Sequence, residues 1–365
     1  MKKIIYTFLI FLFASAVFGQ NKYFIYFEDK EVSSKELSKS PEVLQKAEEN
    51  LSPKAIERRK KKLNEDYITE ADLPVNKEYI EKIKSAGGEI VHILNWFNSV
   101  SAFLTDAEKK KISKFSFVKK IEPVRSLKGN LTNSEDYAAV SQFGYGSSLT
   151  QMELSQITEV HKSGVTGEGV LIGVLDTGFK WKTHPALESI NVLGERDFVF
   201  NDNVTENERG DVSSQHNHGT SVLSLIGGYE DDKFIGSSFG SSFLLAKTED
   251  IRSETRVEED NYAAALEWLE ASGADVVTSS LGYSDFDGSD EDYTYDDMDG
   301  KTTLVSKALN IAFELGVVTV TSAGNEGNDP WFYISSPADA FKVLSVGAVN
   351  SSNQIAGFSS NGPTS

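Results

Sequence analysis

From about residue 152 to the end of the chain, short apolar runs alternate with helical stretches, and this alternation restricts the fold more than any other feature. The runs at 170–175, 243–247, 276–280, 317–322 and 343–349 have the length and the Val, Leu and Ile content of buried strands. Helical spacing fills the intervals at 218–226, 258–272 and 303–315. A strand without a polar face has to be covered on both sides, and strands separated by helices run parallel. Residues 151–365 are therefore predicted to form an α/β domain around a doubly wound, mostly parallel sheet. Such sheets carry their sites at the carboxyl ends of the strands.

The residues before this domain follow another pattern. An aromatic strand at 23–27 is followed by a polar helical stretch at 33–64. That stretch contains Arg58-Arg59-Lys60-Lys61-Lys62, read as a solvated helix face, with a processing signal or docking patch as the alternative. Next come a helix from residue 77 that Gly87-Gly88 stops, strands at 89–94 and 99–104, a Lys-rich helix at 106–114 and a strand at 118–124. This order predicts a small ferredoxin-like α+β domain over residues 20–125. Residues 126–150, rich in Ser, Asn and Gly, read as a linker. At the start, Lys2 and Lys3, an apolar run at 4–13 and small residues at 14–19 read as a signal peptide cut after Gly19, which predicts a secreted, periplasmic or cell-surface protein. No later stretch is apolar for the ~20 residues that a membrane anchor needs.

Charge separates the two halves. Residues 21–150 hold 22 Lys and Arg against 20 Asp and Glu, a balance of +2, whereas 151–365 hold 12 against 35, a balance of -23. An acidic domain of this kind has no basic stripe for a phosphate backbone, which excludes nucleic acid as a partner. The chain has no cysteine, so neither disulfides nor thiolate zinc sites contribute.

The candidate chemistry lies at strand and helix ends. Residues 170–178 form an apolar strand ending in Asp176-Thr177-Gly178. Alone, this is a turn, or half of the paired carboxylates of an aspartic protease, but the second Asp-Thr/Ser-Gly that such an enzyme needs is missing. At His216-Asn217-His218-Gly219-Thr220 a polar loop enters an apolar helix. A histidine there can offer one ring nitrogen to a nucleophile and the other to a carboxylate. The His216/His218 pair has no further ligands at metal spacing. At 317–327 a strand runs into a turn centred on Asn325, which is either a plain turn residue or an oxyanion donor. Gly167-Glu168-Gly169 precedes its strand rather than following it, which argues against dinucleotide binding. The acidic stretch 285–300 reads as a surface loop, with calcium as the alternative, although Ser289 breaks the EF-hand pattern.

In chain order, Asp-Thr-Gly, His-Gly-Thr, Ser279-Ser280-Leu281-Gly282 and Ala323-Gly324-Asn325 resemble the subtilisin family (subtilases) over about residues 164–365. The resemblance implies a serine endopeptidase acting on protein or peptide substrates. In it Asp176 orients the imidazole, His218 is the general base and Asn325 binds the oxyanion. Ser280, Leu281, Gly282, Ala323, Gly324 and Glu326 would surround the substrate, with a basic residue favoured by Glu326. No cofactor is implied beyond a structural calcium ion. Residues 355–365 resemble the segment that precedes the family's nucleophile, so the catalytic serine is expected beyond residue 365 and the chain as written is expected to be inactive. Ser365 itself is not that serine. By the same resemblance residues 20–125 are a propeptide that assists folding and inhibits until it is cut between about 127 and 150. A non-catalytic secreted binding protein on this scaffold is the alternative.

Overall fold

The computed structural model describes residues 21–30, 41–124, 143–252, 256–284 and 292–365. The expected signal peptide and most of the expected linker lie outside these residues. The first domain is built on four strands, β1 (Asn21–Phe27), β2 (Glu89–Leu94), β3 (Ser99–Leu104) and β4 (Val118–Val124). They pair antiparallel in the order β2-β3-β1-β4, as a ferredoxin-like unit requires. Strand β1 shows why the sheet has two faces: Tyr23, Ile25 and Phe27 join one apolar cluster, while Phe24 and Tyr26 point into another. The first cluster includes Ile80 and Ile83 of helix α3 (Lys77–Ser85) and Ile112 of α4 (Asp106–Ile112). The second is shared with the larger domain.

Between β1 and α3 the structure departs from the sequence reading. Instead of one helix over 33–64 there are α1 (Pro41–Glu48) and α2 (Pro53–Leu63). Pro53 at the first helical position and Ser52, whose Oγ accepts from Ala55 N at 3.1 Å, begin a new helix there. Arg58 and Arg59 are buried, not solvated. Both contact Glu270 of the larger domain. A polar helix face identifies residues that avoid an apolar core, but it does not reveal that an acidic partner covers them.

The larger domain contains a six-stranded parallel sheet: β5 (Leu171–Asp176), β6 (Asn191–Asp197), β9 (Ser242–Lys247), β10 (Val276–Ser279), β11 (Val318–Ser322) and β12 (Leu344–Val346), in the order β12-β11-β10-β5-β9-β6. A hairpin of β7 (Tyr229–Glu230) and β8 (Phe234–Ile235) stands apart from it. Helix α7 (Asn217–Gly227) contributes Leu223 to the apolar layer on one face of the sheet. Helices α8 (Arg256–Ala271) and α9 (Leu304–Glu314) supply the layer on the other. Phe24, Leu94 and Val124 of the first domain join the α8 side, so α8 lies between two sheets.

Strand β6 escaped the sequence reading because it is a half-polar edge strand paired only with β9. Helices α5 (Leu149–Leu154) and α6 (Ile157–Lys162) are each too short for a clear period. Tyr145 and Ser148, within the expected linker, are buried, and Ser148 Oγ donates to Ile235 O at 2.8 Å. After β5 the chain builds the sheet toward β6 and then returns to add β10 on the other side. That reversal opens a crevice at the carboxyl ends of β5 and β10. Among the described residues no helix is long and apolar enough to cross a membrane.

Candidate active site

Asp176 is the last residue of β5 and is fully buried. Its Oδ1 accepts from Thr177 N at 2.7 Å and lies 2.7 Å from His218 Nδ1. Its Oδ2 is buried and has no hydrogen-bond partner among the described residues. His218 sits in the first turn of α7, 42% of its side chain open to solvent. Helix and strand end come this close because residue 219 is glycine: a Cβ there would stand 2.3 Å from Gly178 O and 3.0 Å from Asp176 Cβ. The bond to Asp176 raises His218 above the usual imidazole value, against the lowering effect of burial. With Nδ1 engaged, Nε2 is the nitrogen left for a reactant.

A residue that the sequence reading passed over holds this corner together. Gln215, fully buried, donates from Nε2 to Thr177 O at 2.8 Å and to Glu249 O at 2.7 Å, and its Oε1 accepts from Ile251 N at 3.1 Å. It ties the ends of β5 and β9 to the approach of α7. Its only sequence signal was a long polar side chain just before the His-Asn-His-Gly motif. His216 is turned elsewhere, its Nδ1 accepting from Asn207 N at 3.0 Å, so the two histidines do not share a ligand site.

Asn325 lies in the turn after β11, at the same carboxyl rim and two strands from β5, roughly 10 Å at the usual ~4.8 Å per strand. The turn depends on Gly324, whose φ of +113° is open to glycine and whose absent Cβ would fall 2.2 Å from Glu326 Oε2 and 2.6 Å from Ser360 Oγ. Ala323 is buried beneath it, and Asn325 itself is exposed. Glu326 is half-buried, its Oε2 accepting from Ser360 Oγ at 2.7 Å. Between the Asp/His pair and this turn, β10 ends at Ser279. Ser280, Leu281 and Gly282 then run along the rim until Tyr283 pairs with Ser336. Beneath them Ser279 Oγ is 3.0 Å from both Tyr262 OH and Thr321 Oγ1, a buried hydroxyl chain that fixes the neighbouring strand ends. Ser365 is engaged elsewhere, its Oγ donating to Asp296 O and its N to Met298 O, each at 3.1 Å.

Residues 167–365, more than half of the chain, match the Subtilase family, and residues 22–139 match the peptidase S8 propeptide domain of Bacteroidota. The chain belongs to the subtilase family. It is 28% identical over 282 residues to subtilisin amylosacchariticus of Bacillus subtilis subsp. amylosacchariticus, an alignment covering 77% of this chain and 63% of that protein. To subtilisin BL of Lederbergia lenta it is 30% identical over 207 residues, 57% of this chain and 65% of the relative. The chain thus spans less than two thirds of the length of these subtilisins. Among solved structures, the epidermin leader peptide processing serine protease of Staphylococcus aureus aligns with a TM-score of 0.57 at 15% identity over 93% of this chain and 73% of that one. Fervidolysin of Fervidobacterium pennivorans aligns with a TM-score of 0.54 at 20% identity, over 94% and 46%. At such identities these two structures speak for the fold.

Carboxylates of Asp197, Asp202 and Glu208 converge to within 4.8 Å in the loops beyond β6. The buried Lys247 ammonium lies 2.8 Å from Asp197 Oδ2 and 2.9 Å from Asp211 Oδ2, so the chain already supplies a cation here. Of the acidic stretch singled out for calcium, residues 292–300 are described. There Asp297 caps Thr294 N at 2.8 Å and Asp299 caps Thr302 N at 2.7 Å, which engages both carboxylates in turns.

Proposed function

We propose that the whole protein is an exported serine endopeptidase that uses an Asp-His-Ser triad, with the serine supplied by sequence following Ser365. The observation that carries this reading is the 2.7 Å contact between the buried Asp176 carboxylate and His218 Nδ1 at the carboxyl rim of the sheet. A buried carboxylate with one unpaired oxygen is best relieved by positive charge beside it. Proton transfer from a serine hydroxyl to Nε2 would create that charge, as general-base catalysis requires. Asn325 and the backbone at the serine would then receive the oxyanion, the imidazolium would give its proton to the amine as the C–N bond breaks, and water, deprotonated by the same ring, would hydrolyse the acyl intermediate and free the serine.

An extended peptide would lie along Ser280, Leu281 and Gly282, pairing by backbone hydrogen bonds as an added strand. Ala323 and Gly324 would form the opposite wall, and the Glu326 charge would favour a basic side chain before the scissile bond. Residues 20–125 would act as propeptide and intramolecular inhibitor until cleavage between about 127 and 150. No cofactor enters this chemistry, and a structural calcium ion would contribute to stability alone.

Labelling of the full-length product with a fluorophosphonate tests the proposal. The expected result is one labelled serine, with labelling slowed at least a hundredfold by His218→Ala. Absence of labelling together with absence of peptide hydrolysis would favour a binding protein on the same scaffold.

A further inference from the structure

The face of α8 that carries Asp260, Asn261 and Glu267 is not the only place where the first domain grips the second. Helix α2 lies at the opposite edge of the parallel sheet, where β5, β10 and β11 begin. Arg58 donates to Ala274 O at 2.7 Å, to Glu270 O at 3.1 Å and to Leu315 O at 3.3 Å, and its guanidinium also contacts the Glu270 carboxylate. Arg59, with no exposed surface, forms a fork on the same carboxylate, Nε to Oε1 at 2.8 Å and Nη2 to Oε2 at 2.6 Å. Lys54 donates to Gly169 O at 2.9 Å and pairs with Asp275 at 2.8 Å, while Lys62 caps Phe313 O. Apart from Gly169 O, which precedes β5, the carbonyls engaged belong to the C-terminal ends of α8 and α9 and the turns that follow, where helix dipoles favour cations. Gly273, with a φ of +99°, leaves room for the approach: a Cβ there would stand 2.7 Å from Ser52 Oγ.

This contact is structurally separate from the rim. A strand of six residues places the start of β5 roughly 17–20 Å from Asp176 at its far end. The segment that carries α2 also has a small core of its own, with Ala47, Ile68 and Leu73 buried together and Leu44, Leu51 and Tyr67 packed against them. Arg59 joins that core to the larger domain, since its Nη1 reaches Asp72 Oδ1 at 2.7 Å.

We propose that the catalytic domain carries, at the pole opposite its reactive rim, a receptor site for consecutive arginines on a helix. Its resident ligand is α2, and it holds the propeptide on the enzyme independently of the substrate cleft. The proposal rests on residues 20–125 being a propeptide that is cut from the enzyme. A cut between about 127 and 150 would therefore leave the contacts at α2 in place beside those on the α8 face, and the halves would stay together until the α2 contact opens. The ligand chemistry is a guanidinium pair: two lysines could not present the fork that fits the Glu270 carboxylate.

The test uses the full-length protein with a site-specific protease sequence placed within 126–142 and is read as the rate at which the N-terminal half leaves the immobilised catalytic half. Arg58→Ala/Arg59→Ala should accelerate release at least tenfold. Glu270→Ala, from the opposite side of the contact, should do the same, and the combined variant should add less than threefold to either. Arg59→Lys should recover only part of the loss. The Glu270 variant leaves the N-terminal half unaltered, so damage to the segment that carries α2 cannot account for its effect. Release within twofold of the unmodified chain in the Glu270 variant overturns the proposal, whatever the arginine variants do. Because an added protease makes the cut and release is the readout, the result does not depend on whether the enzyme hydrolyses peptides. A whole protein that never separates its halves in its own maturation would instead count against the propeptide reading.

Discussion

In the proposed mechanism, Asp176 and His218 would divide one task between a carboxylate locked at the end of a central strand and a ring that solvent can reach. Asp176→Asn keeps the shape and removes the charge, so Nδ1 loses the acceptor that fixes the tautomer. In the full-length enzyme this substitution should lower kcat by roughly 10⁴-fold with little change in KM, the usual cost of losing the orienting carboxylate of such a triad. The same change should move the titration of His218. The bond to Asp176 holds the imidazolium above its ordinary value of 6.5, and only the neutral ring can accept a proton. The acid limb of the rate profile should therefore lie above 6.5 and shift downward in the asparagine variant. Stability follows the matching sign: the contact supports the fold below the ordinary imidazole value and is lost as pH rises through the raised one. Ring-carbon NMR shifts of His218 read both effects, and an unchanged midpoint in the variant would contradict the assignment.

Helix α8 serves two sheets, and the sequence disclosed only one of its duties. Its apolar period and its place between β9 and β10 were legible, as were the strand ends that carry Asp176 and Asn325, because burial on both faces leaves an unmistakable apolar run. Its polar residues carried no sequence signal of a partner. In the fold, Asp260 pairs with Lys22 at 2.6 Å, Asn261 meets His92 at 3.0 Å and Glu270 receives two arginines, all across the domain joint. Such partners lie more than a hundred residues apart in sequence, and no local period encodes them. Gln215 and Glu267 were missed for the same reason: their roles depend on what surrounds them. Glu267 accepts from Asn95 Nδ2 at 2.6 Å, and burial in the joint pushes its carboxyl up to about 7. Once the first domain leaves, water should return it to roughly 4.3. The joined state therefore binds a proton that the separated halves release, and this group loosens the joint as pH rises from about 4.3 to about 7. His92, held below its ordinary value by burial, acts in the opposite sense, because its protonation opposes the joint at low pH. Release of the cut propeptide should accelerate from roughly pH 5 to 7 in the natural chain, and Glu267→Gln should remove that acceleration and leave only the His92 contribution. An identical slope in the variant would assign the pH dependence elsewhere.

Over the whole molecule, a near-neutral stretch, +2 over residues 21–150, meets an acidic one, -23 over residues 151–365. Lys22, Lys54, Arg58, Arg59 and Lys62 are the cations of the first domain that touch that acidic half among the described residues. Lys22 and Arg59 have side-chain exposures of 3% and 0%, and their carboxylate partners are as deeply buried; among these cross-domain pairs only Lys54 with Asp275 stands open, at 39% and 33%. Approach and departure should therefore respond differently to salt. During approach the charges are still hydrated and act across solvent, where the Debye length falls from roughly 14 Å at 0.05 M to ~4 Å at 0.5 M. Once docked, the main pairs are out of reach of mobile ions and their separation is governed by local geometry. Over that salt range the association rate of the cut halves should fall by about an order of magnitude, while the dissociation rate should change by less than about twofold. Stopped-flow mixing and dilution of the cut protein measure the two rates separately. Dissociation that accelerated as much as association slowed would mean that the charged contacts of the joint remain in water, against the burial of Lys22, Arg59 and Glu270.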